Sequence, residues 1–461
     1  MGVMKKIECF RFEKSIHTCP IFLVKKNNYK EWLERQNKFT KNFLMTLNFN
    51  EQLKNILLPK QDGTLLQVIC LVEDDMFTIA DLYSQLPDGE YHIEYSDIPD
   101  LRLYYLGFAL GSYSFDKYKK TKSEKEVYLF LPKDYREIIS EAEAIFLARD
   151  MISTPAEDMG PAEISNIIKQ LAIEFNADFE EIVGEDLAKQ GYMGIYTVGR
   201  GSYRAPRLVK LNWNKNSYPK ISLVGKGVVF DTGGVDIKPA SGMLLMHKDM
   251  GGAANAIALA YLIMKNNLPV GLSLSIPTVE NAVDANSYRP SDIIKMKNGT
   301  TVQVTNTDAE GRLILAEPLY EESSSNPAIL IDFATLTGAA RIAVGTEIAG
   351  FFSNNNDFSD NLYKHAEKQK DDVWRLPLAK RYMKNLKNDF ANISNCGPSS
   401  FAGAITAALF LEHFLAKDYS NWIHFDIMAW NSSATPGKPV GGEAMGIRAA
   451  YSMLKEQFKL N

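Results

Sequence analysis

Short apolar runs at Val209–Trp213, Ile221–Val224, Gly271–Ile276, Ala328–Phe333 and Trp422–Ile427 have strand length and are rich in β-branched and aromatic residues. Longer stretches with helix-like patterning lie around them, at Pro161–Phe175, Gly252–Lys265, Leu313–Glu322, Gly403–Phe414 and Glu443–Leu454. Alternation of this kind predicts an α/β domain with a mixed, mostly parallel central sheet flanked by helices. Before Ser153 the pattern is weaker. A helical stretch at Glu31–Leu47 and a strand at Leu66–Val72 predict a small N-terminal α/β domain without a dense cluster of chemistry. A helix from Tyr135 to Met151 leads into Ser153-Thr154-Pro155-Ala156, where the proline ends it. The expected division is an N-terminal domain over 1–135, a linker helix over 136–155 and a larger domain over 156–461.

Composition changes this picture little. The chain has 461 residues, 46% of them hydrophobic, which allows two or three domains with ample core. A net charge of −5 gives no electrostatic reason to expect nucleic acid. Cys9, Cys19, Cys70 and Cys396 lie far apart without metal-type spacing, which fits reduced thiols better than a disulfide framework. Met1–Lys6 lacks a signal-peptide core, Lys6 breaks the myristoylation pattern, and no run of about 18 apolar residues predicts a membrane span. A cytoplasmic protein is expected.

Chemistry concentrates in two segments. Asn306-Thr307-Asp308-Ala309-Glu310-Gly311-Arg312-Leu313 places two carboxylates and a guanidinium within five residues. By itself it reads equally well as a solvated loop with a local ion pair. The second segment, Ile221 to Ala260, sets Lys226, Asp231, Lys238 and Asp249 in apolar, glycine-rich surroundings. Burying such charges unpartnered costs several kcal/mol, on the order expected for isolated ions in protein interiors. Divalent cations would remove that cost, since hard ions prefer oxygen ligands and two-metal sites need several carboxylates.

These residues resemble the leucyl aminopeptidases, or cytosol aminopeptidases, a family of dinuclear metallo-exopeptidases. The resemblance rests on the octapeptide Asn306–Leu313, on Val224–Gly227 through Phe230–Gly234 and Ile237–Pro239, on Asp249–Ala254, and on Thr335–Ala339, in the same order as in that family. It covers the chain from about Ala142 to the C-terminus and is faint before that. It implies hydrolysis of the N-terminal residue from peptides and aminoacyl amides by a water activated between two metals. Lys226, Asp231, Asp249 and Glu310 would bind one ion. Asp231, Asp308 and Glu310 would bind the other, with Asp231 and Glu310 bridging and the Asp308 carbonyl adding a ligand. Lys226 would have to be a neutral amine, unusual for a group whose reference pKa is about 10.4. Lys238 would stabilise the developing oxyanion, and Arg312 would hold a bicarbonate acting as general base. Met246 would face the first side chain, and Asn306, Thr335, Leu336 and Gly338 would contact the substrate. For Met246 and Leu336 ordinary core packing fits as well.

The resemblance further implies a homohexamer, with zinc or manganese as the expected ions and magnesium or cobalt as alternatives. Asp236 and His247 depart from the family pattern; Asp236 is expected to face solvent, with pairing to Lys238 as its alternative, and His247 to lie off the metals. Other readings remain. Asp231-Thr232-Gly233 matches the turn of aspartic peptidases, although a single-chain enzyme of that type needs two such triplets. Gly225-Lys226-Gly227 lacks the ending of a phosphate loop. A catalytically idle scaffold or a DNA-binding relative are the non-enzymatic alternatives.

Overall fold

A computed structural model of the protein describes residues 5–49, 54–119, 125–214, 216, 219–399 and 401–459. Contacts separate the chain into two units, one built from Leu147–Ser432 with the segment from Gly441 onward, the other from the stretch up to Phe146 with Ser433–Val440. The division falls inside the helix Ile138–Ser153, which starts later and runs further than the periodicity predicts.

The larger unit carries a nine-stranded sheet: β1 (Asp178–Val183), β2 (Arg207–Trp213), β3 (Lys220–Gly225), β4 (Gly227–Asp231), β5 (Gly271–Asn281), β6 (Ile329–Ala334), β7 (Ala349–Ser353), β8 (Val373–Arg375) and β9 (Trp422–Asp426). Their order is β8-β7-β9-β6-β3-β5-β2-β1, with β4 also paired to β5. The centre, β9-β6-β3-β5, is parallel, and β2 and β1 add on antiparallel. The predicted mixed, mostly parallel sheet is therefore present. Central strands buried on both faces read as continuous apolar runs, which is why β3, β5, β6 and β9 were visible in the sequence. The edge strand β8 is only three residues long and carries no such run, whereas β7, buried along its whole length, does.

Helices cover both faces. Val224 and Leu330 join one apolar cluster with Leu313, Leu319 and Phe410 from the helices Gly311–Ser324 and Gly403–His413. Alternate residues such as Ile331 and Phe333 point to the opposite face. There the helix Gly251–Lys265 lies against β3 and β6. A Cβ on Gly252 would fall 2.2 Å from the Phe333 carbonyl oxygen, so glycine is what permits the approach. The helix expected over Glu443–Leu454 begins at Ile447, because Gly446 adopts a left-handed φ of 76°.

The smaller unit holds a six-stranded sheet in the order Phe10–Arg11, Val127–Phe130, Gly89–Ser96, Cys19–Lys25, Leu65–Val72, Asn55–Pro59, parallel except for the last pair. The single helix expected over Glu31–Leu47 is two, Tyr29–Glu34 and Lys38–Thr46. Asn37 makes the break: its extended backbone and side-chain oxygen, accepting the Thr40 N–H at 2.9 Å, start a second helix. Among the described residues no helix is long and apolar enough to cross a membrane.

Candidate metal centre

The charged residues of both sequence segments come together at the carboxyl ends of the parallel strands, where sheets of this class hold ligands. Lys226 follows β3; its N–H donates to the Phe333 carbonyl at 2.9 Å and its carbonyl accepts the Ala253 N–H at 2.8 Å. Asp231 closes β4. Asp249 sits in the turn Met246–Met250 that feeds the helix Gly251–Lys265, and Glu310 caps the helix Gly311–Ser324.

Ligand atoms of Asp231, Asp308 and Glu310 all lie within 4.8 Å of one another. Lys226 Nζ stands 2.9 Å from Glu310 Oε1 and 2.7 Å from Asp249 Oδ2, and donates to the Thr335 carbonyl at 3.0 Å. Lys238 Nζ pairs with Asp231 Oδ2 at 2.8 Å and with Asp308. Lys226, Asp231, Asp249 and Glu310 are each no more than 3% exposed. Two carboxylates have one oxygen fixed from behind. Asp231 Oδ1 accepts from Asn281 Nδ2 at 2.8 Å and the Gly233 N–H at 2.9 Å, and Asp249 Oδ1 accepts from Thr335 Oγ1 at 2.8 Å. The second oxygen of each is left to the cluster, as a metal site requires of its outer partners.

Four carboxylates thus face two ammonium groups in a largely dry pocket. Burial, and then repulsion from Asp231, pushes the carboxyls of Glu310 and Asp308 up from their ordinary values. Burial alone would lower both lysines, yet Asp249, Glu310 and Asp231 together hold Lys226 well above its usual range, and Asp231 and Glu310 do the same for Lys238. Divalent cations would offset this surplus of negative charge. The donor set therefore fits a dinuclear centre, with one condition: Lys226 must shed its proton to become a ligand.

Lys226, Asp231, Lys238, Met246, Asp249, Asp308, Glu310, Thr335, Leu336 and Gly338 line one cavity of about 320 Å³. Asn306 instead joins Asp308 in lining a neighbouring cavity of about 710 Å³. Arg312 lines neither. It is 6% exposed, its Nη1 donates to the Asn395 carbonyl at 2.8 Å, and its Nε has no hydrogen-bond partner among the described residues.

Several residues that matter here were given no role by the motifs, although Thr307 lies inside the octapeptide. Thr307 locks the two loops together: its Oγ1 donates to the Gly233 carbonyl at 2.5 Å, and its carbonyl accepts from Tyr288 Oη at 2.6 Å and Asn281 Nδ2 at 3.1 Å. Asn395 braces the octapeptide, donating to the Asn306 carbonyl at 2.7 Å and accepting the Thr305 N–H at 2.8 Å. Asn281, a polar residue ending the long apolar strand β5, was the one such signal available. Asp236 is mostly exposed, but its carboxylate accepts the Thr307 N–H at 2.8 Å rather than pairing with Lys238 or facing only water. His247 stacks edge-on against Trp430 and is no part of the cluster. Asp231-Thr232-Gly233 belongs to a parallel strand end beside two lysines and two further carboxylates, which removes the aspartic-peptidase reading.

Comparison with known proteins agrees with this geometry. The profile of the cytosol aminopeptidase family, catalytic domain, matches residues 146–451, and that of the M17 aminopeptidase, N-terminal domain, matches residues 19–132. A probable cytosol aminopeptidase from Rhodococcus jostii is 37% identical over 371 residues, 76% of this chain and 73% of its own. The crystal structure of a cytosol aminopeptidase from Coxiella burnetii superposes with a TM-score of 0.93 at 42% identity, covering 98% of this chain and 100% of the other. The bottromycin maturation enzyme BotP, in complex with Mn, gives 0.85 at 27% identity over 95% and 99% of the two chains. The chain belongs to the cytosol aminopeptidase family and is a metal-dependent aminopeptidase.

Proposed function

We propose that two divalent ions occupy the cluster, one held by Lys226, Asp231, Asp249 and Glu310, the other by Asp231, Asp308 and Glu310 with the Asp308 carbonyl. The observation that carries this is the pooling of Asp231, Asp308 and Glu310 within 4.8 Å beside a buried lysine that contacts Glu310 and Asp249. When bound, the ions acidify a water and polarise the carbonyl of the first peptide bond. The protein does the rest. The free α-amine of the substrate would be held at the ion on the Lys226 side, which makes the enzyme an exopeptidase. Lys238, held at the rim by Asp231 and Asp308, donates to the carbonyl oxygen as negative charge gathers on it, a contribution of roughly 3 kcal/mol in comparable sites. Met246, Thr335, Leu336 and Gly338 shape the cavity for the first residue, while Asn306 orients the chain beyond it.

The buried Nε of Arg312, without a partner, supports a bicarbonate held there as general base. Peptides and aminoacyl amides are the substrates. Zinc and manganese are the ions of first choice, the latter supported by the Mn complex of BotP, with magnesium or cobalt also compatible with an oxygen-rich site. A homohexamer in the cytoplasm completes the reading, the location supported by the name of the cytosol aminopeptidase family. Neither a membrane nor nucleic acid is a partner. The test is a panel of aminoacyl amides assayed on chelator-stripped protein with each ion restored in turn. Two ions per chain and recovery of turnover are expected; turnover that survives complete metal removal refutes the proposal.

A further inference from the structure

We propose that the cavity beside the metal centre selects substrates whose first residue is acidic, with Lys248 receiving the side-chain carboxylate. The inference deepens the aminopeptidase reading above and rests on it. Lys248 is only 3% exposed and lines the same 320 Å³ cavity as the metal-site carboxylates. Its ammonium makes no hydrogen bond or ion pair among the described residues. A lysine this deeply buried is almost always paired, because desolvating an ammonium without a counter-charge is costly.

The nearby acids are committed elsewhere. Asp249 gives one oxygen to Thr335 Oγ1 at 2.8 Å and the other to Lys226 at 2.7 Å. Asp426 accepts the N–H groups of Leu336 and Thr337, both at 3.1 Å, and Thr337 Oγ1 at 2.6 Å. A second cation, Arg341, lines the cavity too, and the one hydrogen bond of its guanidinium among the described residues is to Met428 Sδ at 3.9 Å. Two like charges on one small cavity, neither in an ion pair among the described residues, call for an anion between them.

The walls say what kind. Met246, Leu336 and Met428 are apolar and also line the cavity, so the ligand should carry methylene groups below its charge. Glutamate or aspartate at the first position has that form: the α-amine and scissile carbonyl lie at the carboxylate cluster, and the side chain reaches past the methionines to Lys248. A neutral amide of the same shape would fill the space and leave both cations uncompensated.

The experiment compares glutamyl, glutaminyl and leucyl p-nitroanilides on the metal-loaded full-length enzyme, reading kcat/KM. The wild type is expected to prefer glutamyl over glutaminyl by at least about tenfold, the scale of one charge-assisted hydrogen bond. Lys248→Met should collapse that ratio to one or below. Lys248→Arg, which keeps the charge, should preserve its direction; melting curves on both variants confirm folding. A wild-type ratio of one or less overturns the proposal, as does a Lys248→Met variant with the ratio unchanged. Absence of hydrolysis of all three substrates by the wild type overturns the aminopeptidase reading itself, whereas hydrolysis without acidic preference overturns this inference alone.

Discussion

Replacing Gly311 by alanine adds one methyl group where the helix Gly311–Ser324 begins. An ideal Cβ there would lie 2.4 Å from Lys226 Cε and 2.8 Å from both Cδ and Nζ. The backbone at Gly311 is helical and has no left-handed φ, so alanine itself is unstrained and gains about 1 kcal/mol of helix propensity. The lysine must therefore move. Its Nζ is pinned by Asp249 at 2.7 Å, Glu310 at 2.9 Å and the Thr335 carbonyl at 3.0 Å, and a shift sufficient to clear a methyl breaks at least one of these contacts. Disrupting a buried pair costs about 3–5 kcal/mol in full, less where the side chain finds new partners. A net loss of a few kcal/mol leaves the domain folded. Ion affinity responds more strongly, because disturbing even an outer partner of a metal ligand costs about 10–100-fold and here the ligand atom itself is displaced. We expect at least about 100-fold weaker binding at one ion position, equivalent to about 2.7 kcal/mol, and a matching loss in kcat/KM. Elemental analysis after dialysis, leucyl p-nitroanilide turnover and thermal melting measure the three effects. A folded Gly311→Ala enzyme with two ions per chain and wild-type kcat/KM refutes the reasoning.

Lys226→Arg should retain fewer than two ions after dialysis, because a guanidinium stays protonated and cannot coordinate; unchanged stoichiometry contradicts the assignment. Adding bicarbonate should stimulate the wild type and have no effect on Arg312→Ala, so an identical response in both removes Arg312 from the mechanism. Gly252→Ala places a Cβ against backbone, 2.2 Å from Phe333 O and 2.7 Å from Ala334 Cα, and should destabilise the larger unit by about 1–3 kcal/mol or more in urea unfolding. Burial raises the Glu317 carboxyl to about 8, although the N–H groups of Gly194 and Ile195 favour its charged form. Its folded pKa exceeds the unfolded value, so the stability it contributes is complete below about 4.5 and is lost as pH rises through about 8. Chelator-treated Glu317→Gln should therefore lose less stability than the wild type between those pH values; parallel unfolding midpoints across the range would show that Glu317 is not the group responsible.

The proposed metal ligands were legible through the family's motifs, whose residues lie close together in the chain. Asp308 and Glu310 lie one residue apart, and Lys226 and Asp231 frame a strand whose apolar neighbours make an unpaired charge implausible. Their outer partners were not legible, since Asn281, Thr307 and Asn395 are ordinary polar residues whose value depends on what faces them across 19 to 90 positions of chain. Lys248 was passed over for the same reason. A lysine next to an aspartate reads as a local pair, yet the Asp249 oxygens are taken by Thr335 and Lys226.

By itself the sequence determined the alternation of buried strands and helices, and which acids and lysines had to share a site, because periodicity and charge balance are properties of short segments. Tertiary structure alone decided the strand order, the carboxylate oxygens left free for cations, the concealment of Arg312 Nε and the two unpaired cations of the cavity. Those depend on which groups meet after folding, and a buried polar atom's energy is set by the partner it finds, not by its neighbours along the chain.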